Sequence, residues 1–218
     1  MAHSNSARLR GLYGIADGGF RPELSVLEKV RGLLAGGVKV VQLRLKREGG
    51  RDALALGREA VPLCHAAGAL CIINDRTDVA LLAGADGVHL GECDLPVDEA
   101  RKLAPELLIG ATVRDLAGAK EAALRGADYV GFGPVFGTKT KSVNVAPRGL
   151  SMLAEVARGA PVPVVAIGGI DLERVGEVGA TGAQMAAVVS AALGAPDIAA
   201  AARALTGAFE AGAARAGR

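Results

Sequence analysis

Hydrophobic and polar positions alternate most clearly along Val38-Lys39-Val40-Val41-Gln42-Leu43-Arg44-Leu45-Lys46. From Val41 onward the period is two. Val41, Leu43 and Leu45 fall on one face, Gln42, Arg44 and Lys46 on the other. The β-branched content predicts a strand. An ordinary amphipathic strand with a wet face would show the same pattern. In a strand buried on both faces, however, neighbouring cations need anions, because an unpaired buried charge is costly. An anionic ligand is the partner expected there.

The same reading extends along the chain. Leu12 to Ala16 predicts a first short strand, ending at Asp17 and a Gly-Gly turn, and residues 23–34 a helix closed by Gly36-Gly37. After the strand above come a helix over 51–67, a strand over 69–73 running into Asn74-Asp75, a short helix near 78–82 and a strand over 87–90. Then follow a helix over 95–104, a strand over 107–112, a helix over 115–125 and a strand over 129–133. The longest irregular stretch is 134–148. A helix over 150–158, a strand over 162–167, a helix from Leu172, a strand over 186–189 and a helix over 196–211 complete the pattern, with short flexible tails at both termini. About eight strand–helix alternations with short apolar strands predict a parallel sheet, and this length fits a single (β/α)8 TIM barrel over residues 1–218. A doubly wound open sheet is the second choice, weakened because no GxGxxG follows the first strand.

Composition narrows the classes. Half of the 218 residues are apolar and only 3% are aromatic, with no Trp, so the core must be built from Val, Ile, Leu and Ala. A formal net charge of +2 argues for neither nucleic acid nor a membrane surface. No apolar run reaches the roughly 18 residues of a spanning helix. The first eight residues lack the apolar centre of a secretory signal. Cys64, Cys71 and Cys93 form no CxxC pair and read as reduced, buried thiols of a cytoplasmic protein. The sequence leaves a homo-oligomer open.

In such a barrel the chemistry lies where strands end. The positions there are Arg44 and Lys46, Asn74-Asp75, Glu92-Cys93-Asp94, Thr112, Thr138-Lys139-Thr140-Lys141, Gly168-Gly169 and Ser190. Asp75 and Asp94 form a carboxylate pair suited to Mg²⁺ that also takes phosphate oxygens. Taken singly, Asp75 could instead cap the next helix and Asp94 be a solvated loop residue. The run 138–141 reads as a lid with two hydroxyls and two ammonium groups, or as an exposed polar loop. Gly168-Gly169 before a helix offers backbone N–H groups to a phosphate, with Val189-Ser190 as the second half, or is only a tight turn. His89 is expected to be packed and hydrogen-bonded, Gly131 and Gly133 to allow close approach, and Arg114 to be a surface residue at a helix start. No Ser-His-Asp or Cys-His set and no zinc spacing is present.

Gln42-Leu43-Arg44-Leu45-Lys46, Asn74-Asp75, Gly87-Val88-His89-Leu90-Gly91, Asp94-Leu95-Pro96, Gly131-Phe132-Gly133-Pro134-Val135-Phe136, Thr138-Lys139-Thr140-Lys141, Ile167-Gly168-Gly169-Ile170 and Val188-Val189-Ser190-Ala191, in this order, resemble thiamine-phosphate synthase. The resemblance implies a Mg²⁺-dependent transferase with one metal ion per subunit. It would join a pyrimidinylmethyl diphosphate to hydroxyethylthiazole phosphate, releasing diphosphate. Gln42, Leu43, Arg44, Leu45, Lys46, Asn74, Thr112 and Lys141 would hold the pyrimidine diphosphate, with Arg44, Lys46 and Lys141 carrying the catalysis. Thr138, Lys139, Thr140, Gly168, Gly169, Val189 and Ser190 would hold the thiazole phosphate, and Asp75 and Asp94 the metal.

The chain departs from the family pattern at Thr112, where Ser is usual, at Glu92, where Gln is common, and at Gln184-Met185, where Asp-Gly is usual. Glu92 adds a negative charge near the diphosphate. The physical reading agrees with the resemblance. A primary carbon bearing diphosphate reacts once its leaving group is neutralised, and the thiazole nitrogen has no proton to lose, so no general base is needed. A related thiazole tautomerase would share the barrel but has no use for a diphosphate–metal pocket. A non-catalytic phosphate-binding barrel is the third reading.

Overall fold

The computed structural model describes residues 6–137 and 146–216. After a 3-10 turn at Ser6–Arg8, strands and helices alternate: β1 (Gly11–Asp17), α1 (Val26–Ala35), β2 (Val40–Arg44), α2 (Gly50–Ala66), β3 (Leu70–Asn74), α3 (Thr77–Ala83), β4 (Gly87–Leu90) and α4 (Val97–Leu103). They continue with β5 (Leu108–Val113), α5 (Leu116–Leu124), β6 (Tyr129–Phe132), α6 (Gly149–Gly159), β7 (Val164–Ile167), α7 (Val175–Ala180), β8 (Met185–Val188), α8 (Ser190–Leu193) and α9 (Ile198–Ala216). The strands close into a parallel barrel in sequence order. The β1–β8 ladder, Gly11 opposite Met185 and Gly14 opposite Val188, rules out the open doubly wound sheet.

Alternation along each strand divides the apolar residues into two cores. Tyr13, Ile15, Val40, Leu70, Ile72, Leu108, Tyr129, Val165 and Met185 fill the barrel interior. Leu12, Val41, Leu43, Ile73, Val88, Ile109, Val130 and Ala186 face outward to Val30, Leu33, Val61, Leu153, Val178 and Phe209 of the helices. Each such fully buried Leu, Val or Ile contributes about 1.5–3 kcal/mol.

Element ends follow local chemistry. β2 is shorter than its alternating pattern, because the β1–β2 ladder stops at Asp17 opposite Arg44 and the β2–β3 ladder at Leu43 opposite Ile73. Leu45 and Lys46 have no strand to pair with. The first helix starts after Ser25 rather than at Glu23, since Ser25 and Glu28 form a reciprocal capping box. The helix expected from Leu172 begins only at Val175. Asp171 Oδ1 accepts from the Arg174 N–H at 3.1 Å and holds the intervening turn.

The C-terminal segment corrects the expectation of a flexible tail. α9 runs to Ala216. Ala202, Leu205, Phe209 and Gly212, at helical spacing, are buried along one face. Gly212 is required there, because a Cβ would overlap the carbonyl of Gly176 on α7. Cys64 and Cys71 are buried free thiols as expected, whereas Cys93 is exposed. Among the described residues, no helix is long and apolar enough to cross a membrane.

Candidate active site

The C-terminal ends of the strands enclose a cavity of about 370 Å³. Its floor is a polar chain of inward-facing side chains. Gln42 Nε2 donates to the Tyr13 hydroxyl at 2.9 Å, and the Tyr13 and Tyr129 hydroxyls lie 3.1 Å apart. Burial pushes both phenols above their ordinary range, so they act as neutral hydrogen-bonding groups. The Tyr129 ring fits because Gly110 leaves its space empty. His89 Nε2 sits 3.1 Å from Thr112 Oγ1, and its ring lies 5.6 Å from that of Tyr129. His89 is thus the packed histidine the sequence predicts, and it also lines the cavity. Gly131 makes room for it, since a Cβ there would stand 2.9 Å from His89 Cε1.

One wall is cationic. Arg44 NH1 lies 2.7 Å from Asp17 Oδ2, and Lys46 Nζ is ion-paired with Asp75 Oδ2. Asn74 lines the same side. Asp75 does not cap α3. Its φ of 66° is in the left-handed region, its N–H donates to the His89 carbonyl at 2.8 Å, and the residue before α3 is Arg76, which makes no side-chain cap. Such a backbone costs a non-glycine residue about 1–3 kcal/mol and clusters at functional sites. Here it turns the carboxylate toward Asp94, whose Oδ2 accepts from the Gly91 N–H at 2.7 Å. Burial raises the Asp75 pKa, Lys46 opposes the rise, and the Asp94 carboxyl adds to it.

This carboxylate pair fits Mg²⁺. The donors are hard oxygens, their mutual repulsion calls for a cation, and a lysine ammonium already occupies one of them. Among the described residues no group of three or more His, Cys, Asp or Glu gathers. Mg²⁺ is a cation that one or two carboxylates can hold, its shell completed by water and substrate phosphate.

The opposite wall is backbone. Gly168 and Gly169 have φ of 102° and 65°, and their turn is braced by the sixth-strand loop. Val135 N–H donates to the Ile167 carbonyl and Phe136 N–H to that of Gly168, each at 2.9 Å. The helix start expected directly after these glycines is absent, for residues 170–174 intervene. The helix that opens on the cavity here is α8, which begins at Ser190 after Val189.

Two assigned residues do not come to the cavity. Leu43 is wholly buried in the outer core and Leu45 packs against that core, because both occupy outward positions of the alternation. Arg114 stands before α5 as expected but is only partly exposed, so it is more than a surface residue. Its Nε lies 2.5 Å from Glu92 Oε1, its NH1 donates to the Gly133 carbonyl at 3.0 Å, and it lines the cavity. The Glu92 charge is thereby paired. Gln184 stands outside the cavity, where its Oε1 accepts from the Val164 N–H at 2.8 Å, and Met185 fills the barrel interior. Thr138, Lys139, Thr140 and Lys141 lie outside the described residues.

Sequence reasoning missed Asp17, Tyr13 and Tyr129 as site residues. The signal was present: Tyr13, Ile15 and Asp17 share the inward face of β1 at a period of two.

Fold and site together define a (β/α)8 barrel of the kind that carries a small-molecule site at its strand ends, here with cations on one wall and a glycine turn on the other. A family model described as thiamine monophosphate synthase matches residues 12–192. The thiamine-phosphate synthase of Myxococcus xanthus is 52% identical over 204 residues, covering 93% of this chain and 94% of its own. That of Anaeromyxobacter dehalogenans is 50% identical over 207 residues, covering 94% and 90%. A solved structure, the thiamine phosphate pyrophosphorylase from Pyrococcus furiosus, superposes with a TM-score of 0.87 at 39% identity, covering 94% of this chain and 98% of that one. The chain belongs to the thiamine monophosphate synthase family, and it is a transferase of thiamine biosynthesis.

Proposed function

We propose that the chain transfers the 4-amino-2-methylpyrimidin-5-ylmethyl group from its diphosphate to the ring nitrogen of hydroxyethylthiazole phosphate, with Mg²⁺, by a dissociative path. The observation that carries this reading is the convergence of Arg44, Lys46, Asn74 and the Asp75–Asp94 pair on one side of a cavity whose other side is Gly168, Gly169 and Ser190. The two walls suit two phosphate-bearing substrates facing each other.

In this reading Asp75 and Asp94 hold Mg²⁺, which when bound neutralises charge on the diphosphate. Arg44 and Lys46 donate to the departing oxygens, with Lys141 assigned beside them from the family resemblance. Gln42, fixed against Tyr13, presents its amide to the pyrimidine. The pyrimidine amino group supplies electrons to the methylene as the C–O bond breaks. The backbone around Gly168-Gly169 and Val189-Ser190 holds the thiazole phosphate so that the ring nitrogen faces the methylene. Thr138, Lys139 and Thr140 are assigned to the same phosphate from the resemblance. The thiazole nitrogen attacks with a free lone pair, so the chain needs no general base. Free cysteines fit a cytoplasmic location.

The test is diphosphate release with both substrates, with and without Mg²⁺, and with each substrate omitted in turn. Release that needs all three, with thiamine monophosphate formed, is the expected result. Conversion of a thiazole tautomer without diphosphate release would replace this reading with the isomerase.

A further inference from the structure

Asp17 is a buried carboxylate at the cavity edge that neither binds metal in the reading above nor belongs to either phosphate wall. Both of its oxygens are committed. Oδ1 accepts from the Gly19 N–H at 2.8 Å, and Oδ2 accepts from Arg44 NH1 at 2.7 Å. Its main chain is also tied down. The carbonyl accepts from Lys29 Nζ at 3.0 Å, and Lys29 is wholly enclosed beneath it. Burial lowers the Lys29 pKa, so the ammonium has been placed there against a desolvation cost. In the strand ladder Asp17 stands directly opposite Arg44, and the Arg44 carbonyl accepts from the Gly18 N–H at 3.1 Å. The two residues are therefore joined through backbone and side chain alike.

An arginine offers five N–H donors in a planar fork. Fixing one of its terminal nitrogens on a carboxylate that cannot itself move sets the plane of the fork. We propose that Asp17 is a positioning residue that orients the Arg44 guanidinium toward the diphosphate. This rests on the diphosphate reading of the Arg44 wall. Two effects oppose each other on removing Asp17: the site gains positive charge, which favours anions, and Arg44 loses its anchor, which scatters its donors. A partly buried arginine on flexible torsions loses more from the second, because directed charge-assisted hydrogen bonds depend on alignment.

The experiment is calorimetric binding of inorganic diphosphate with Mg²⁺ to the full chain, in the parent, Asp17→Ala, Asp17→Asn, Arg44→Ala and the double Asp17→Ala/Arg44→Ala variant, with turnover measured in parallel. Asp17→Ala is expected to weaken diphosphate binding at least about tenfold. Asp17→Asn, which keeps one acceptor, falls between it and the parent. On the Arg44→Ala background, Asp17→Ala should cost less than about twofold, because its effect runs through Arg44. KM for the pyrimidine diphosphate rises, while KM for the thiazole phosphate holds. Equal losses in both backgrounds overturn the proposal and make Asp17 a structural residue only. Unchanged or tighter binding in both Asp17 variants overturns it too, leaving a countercharge. A parent chain that binds no diphosphate also ends it. A parent that binds diphosphate but forms no thiamine monophosphate removes the proposed function instead, and the binding cycle still decides the role of Asp17.

Discussion

Lys46 and Asp75 form an ion pair across the ends of β2 and β3. The lysine thus sits on an oxygen of the carboxylate pair assigned to the metal. If the pair holds Mg²⁺ as proposed, metal binding and lysine pairing would compete, and a Lys46 freed from Asp75 would be available to the diphosphate. Lys46→Met should bind Mg²⁺ alone more tightly, by up to about fivefold, the ~1 kcal/mol that an exposed pair is worth. The same variant should bind Mg²⁺ with diphosphate more weakly than the parent. Calorimetry reads both, and weaker binding of Mg²⁺ alone would show that the two cations do not compete.

The raised Asp75 pKa gives a pH dependence. Burial leads the shift, Lys46 opposes it and Asp94 adds to it. The folded, metal-free chain therefore holds the Asp75 proton more tightly than the unfolded chain. Its contribution to stability is full below the ordinary carboxylate pKa and is lost as pH rises through the raised value. Mg²⁺ needs the ionised form, so its affinity should fall as pH drops through that raised value. Mg²⁺ titrations across the acid range should show a limb above the usual Asp position, absent in Asp75→Asn.

Asp94→Ala is expected to abolish Mg²⁺-dependent diphosphate release. The Gly91 N–H loses its acceptor, and stability should fall by only about 1 kcal/mol. Thermal unfolding beside the release assay separates the two effects. Full activity in this variant would sink the metal assignment.

Gly168→Ala attacks the other wall. The φ of 102° disfavours any side chain, and a Cβ would lie 2.6 Å from Pro134 Cβ. A loss of about 1–3 kcal/mol is expected in denaturant unfolding. KM for the thiazole phosphate should rise, with that for the pyrimidine diphosphate held.

Gly212→Ala makes the contrasting case. The new Cβ meets the Gly176 carbonyl between α9 and α7, outside the cavity lining. Stability should drop by about 1–3 kcal/mol. The kcat/KM of the folded fraction should match that of the parent.

The barrel was legible from alternation and spacing, because short apolar strands separated by helices can bury both faces only in a parallel sheet. Arg44, Asn74, Asp75, Asp94 and Thr112 could be named because each stands at or just beyond the C-terminal end of a strand, where barrel chemistry collects, and Gln42 because the alternation of β2 puts it on the Arg44 face. Leu43 and Leu45 entered with their motif, and the period that places Arg44 inward sends them outward. Asp17 was hidden because a residue before Gly-Gly reads as a turn former, and its partner lies 27 positions away. Arg114 and Glu92, 22 positions apart, were judged separately, and only the closed barrel brings them together. The end of α9 was missed because Ala, Gly and Arg look unstructured until α7 supplies the surface they pack on.

The division of each strand into an inner and an outer set has a consequence for how this chain tolerates change. Reactivity and support are written on positions of opposite parity in the same few residues. Inserting or deleting one residue within β2 would exchange the sets, sending a guanidinium into the helical layer and a leucine into the cavity. Length changes compatible with activity are therefore confined to the connections. Within the strands, evolution or a protein engineer can only substitute, and can retune the outward residues without rewriting the chemistry.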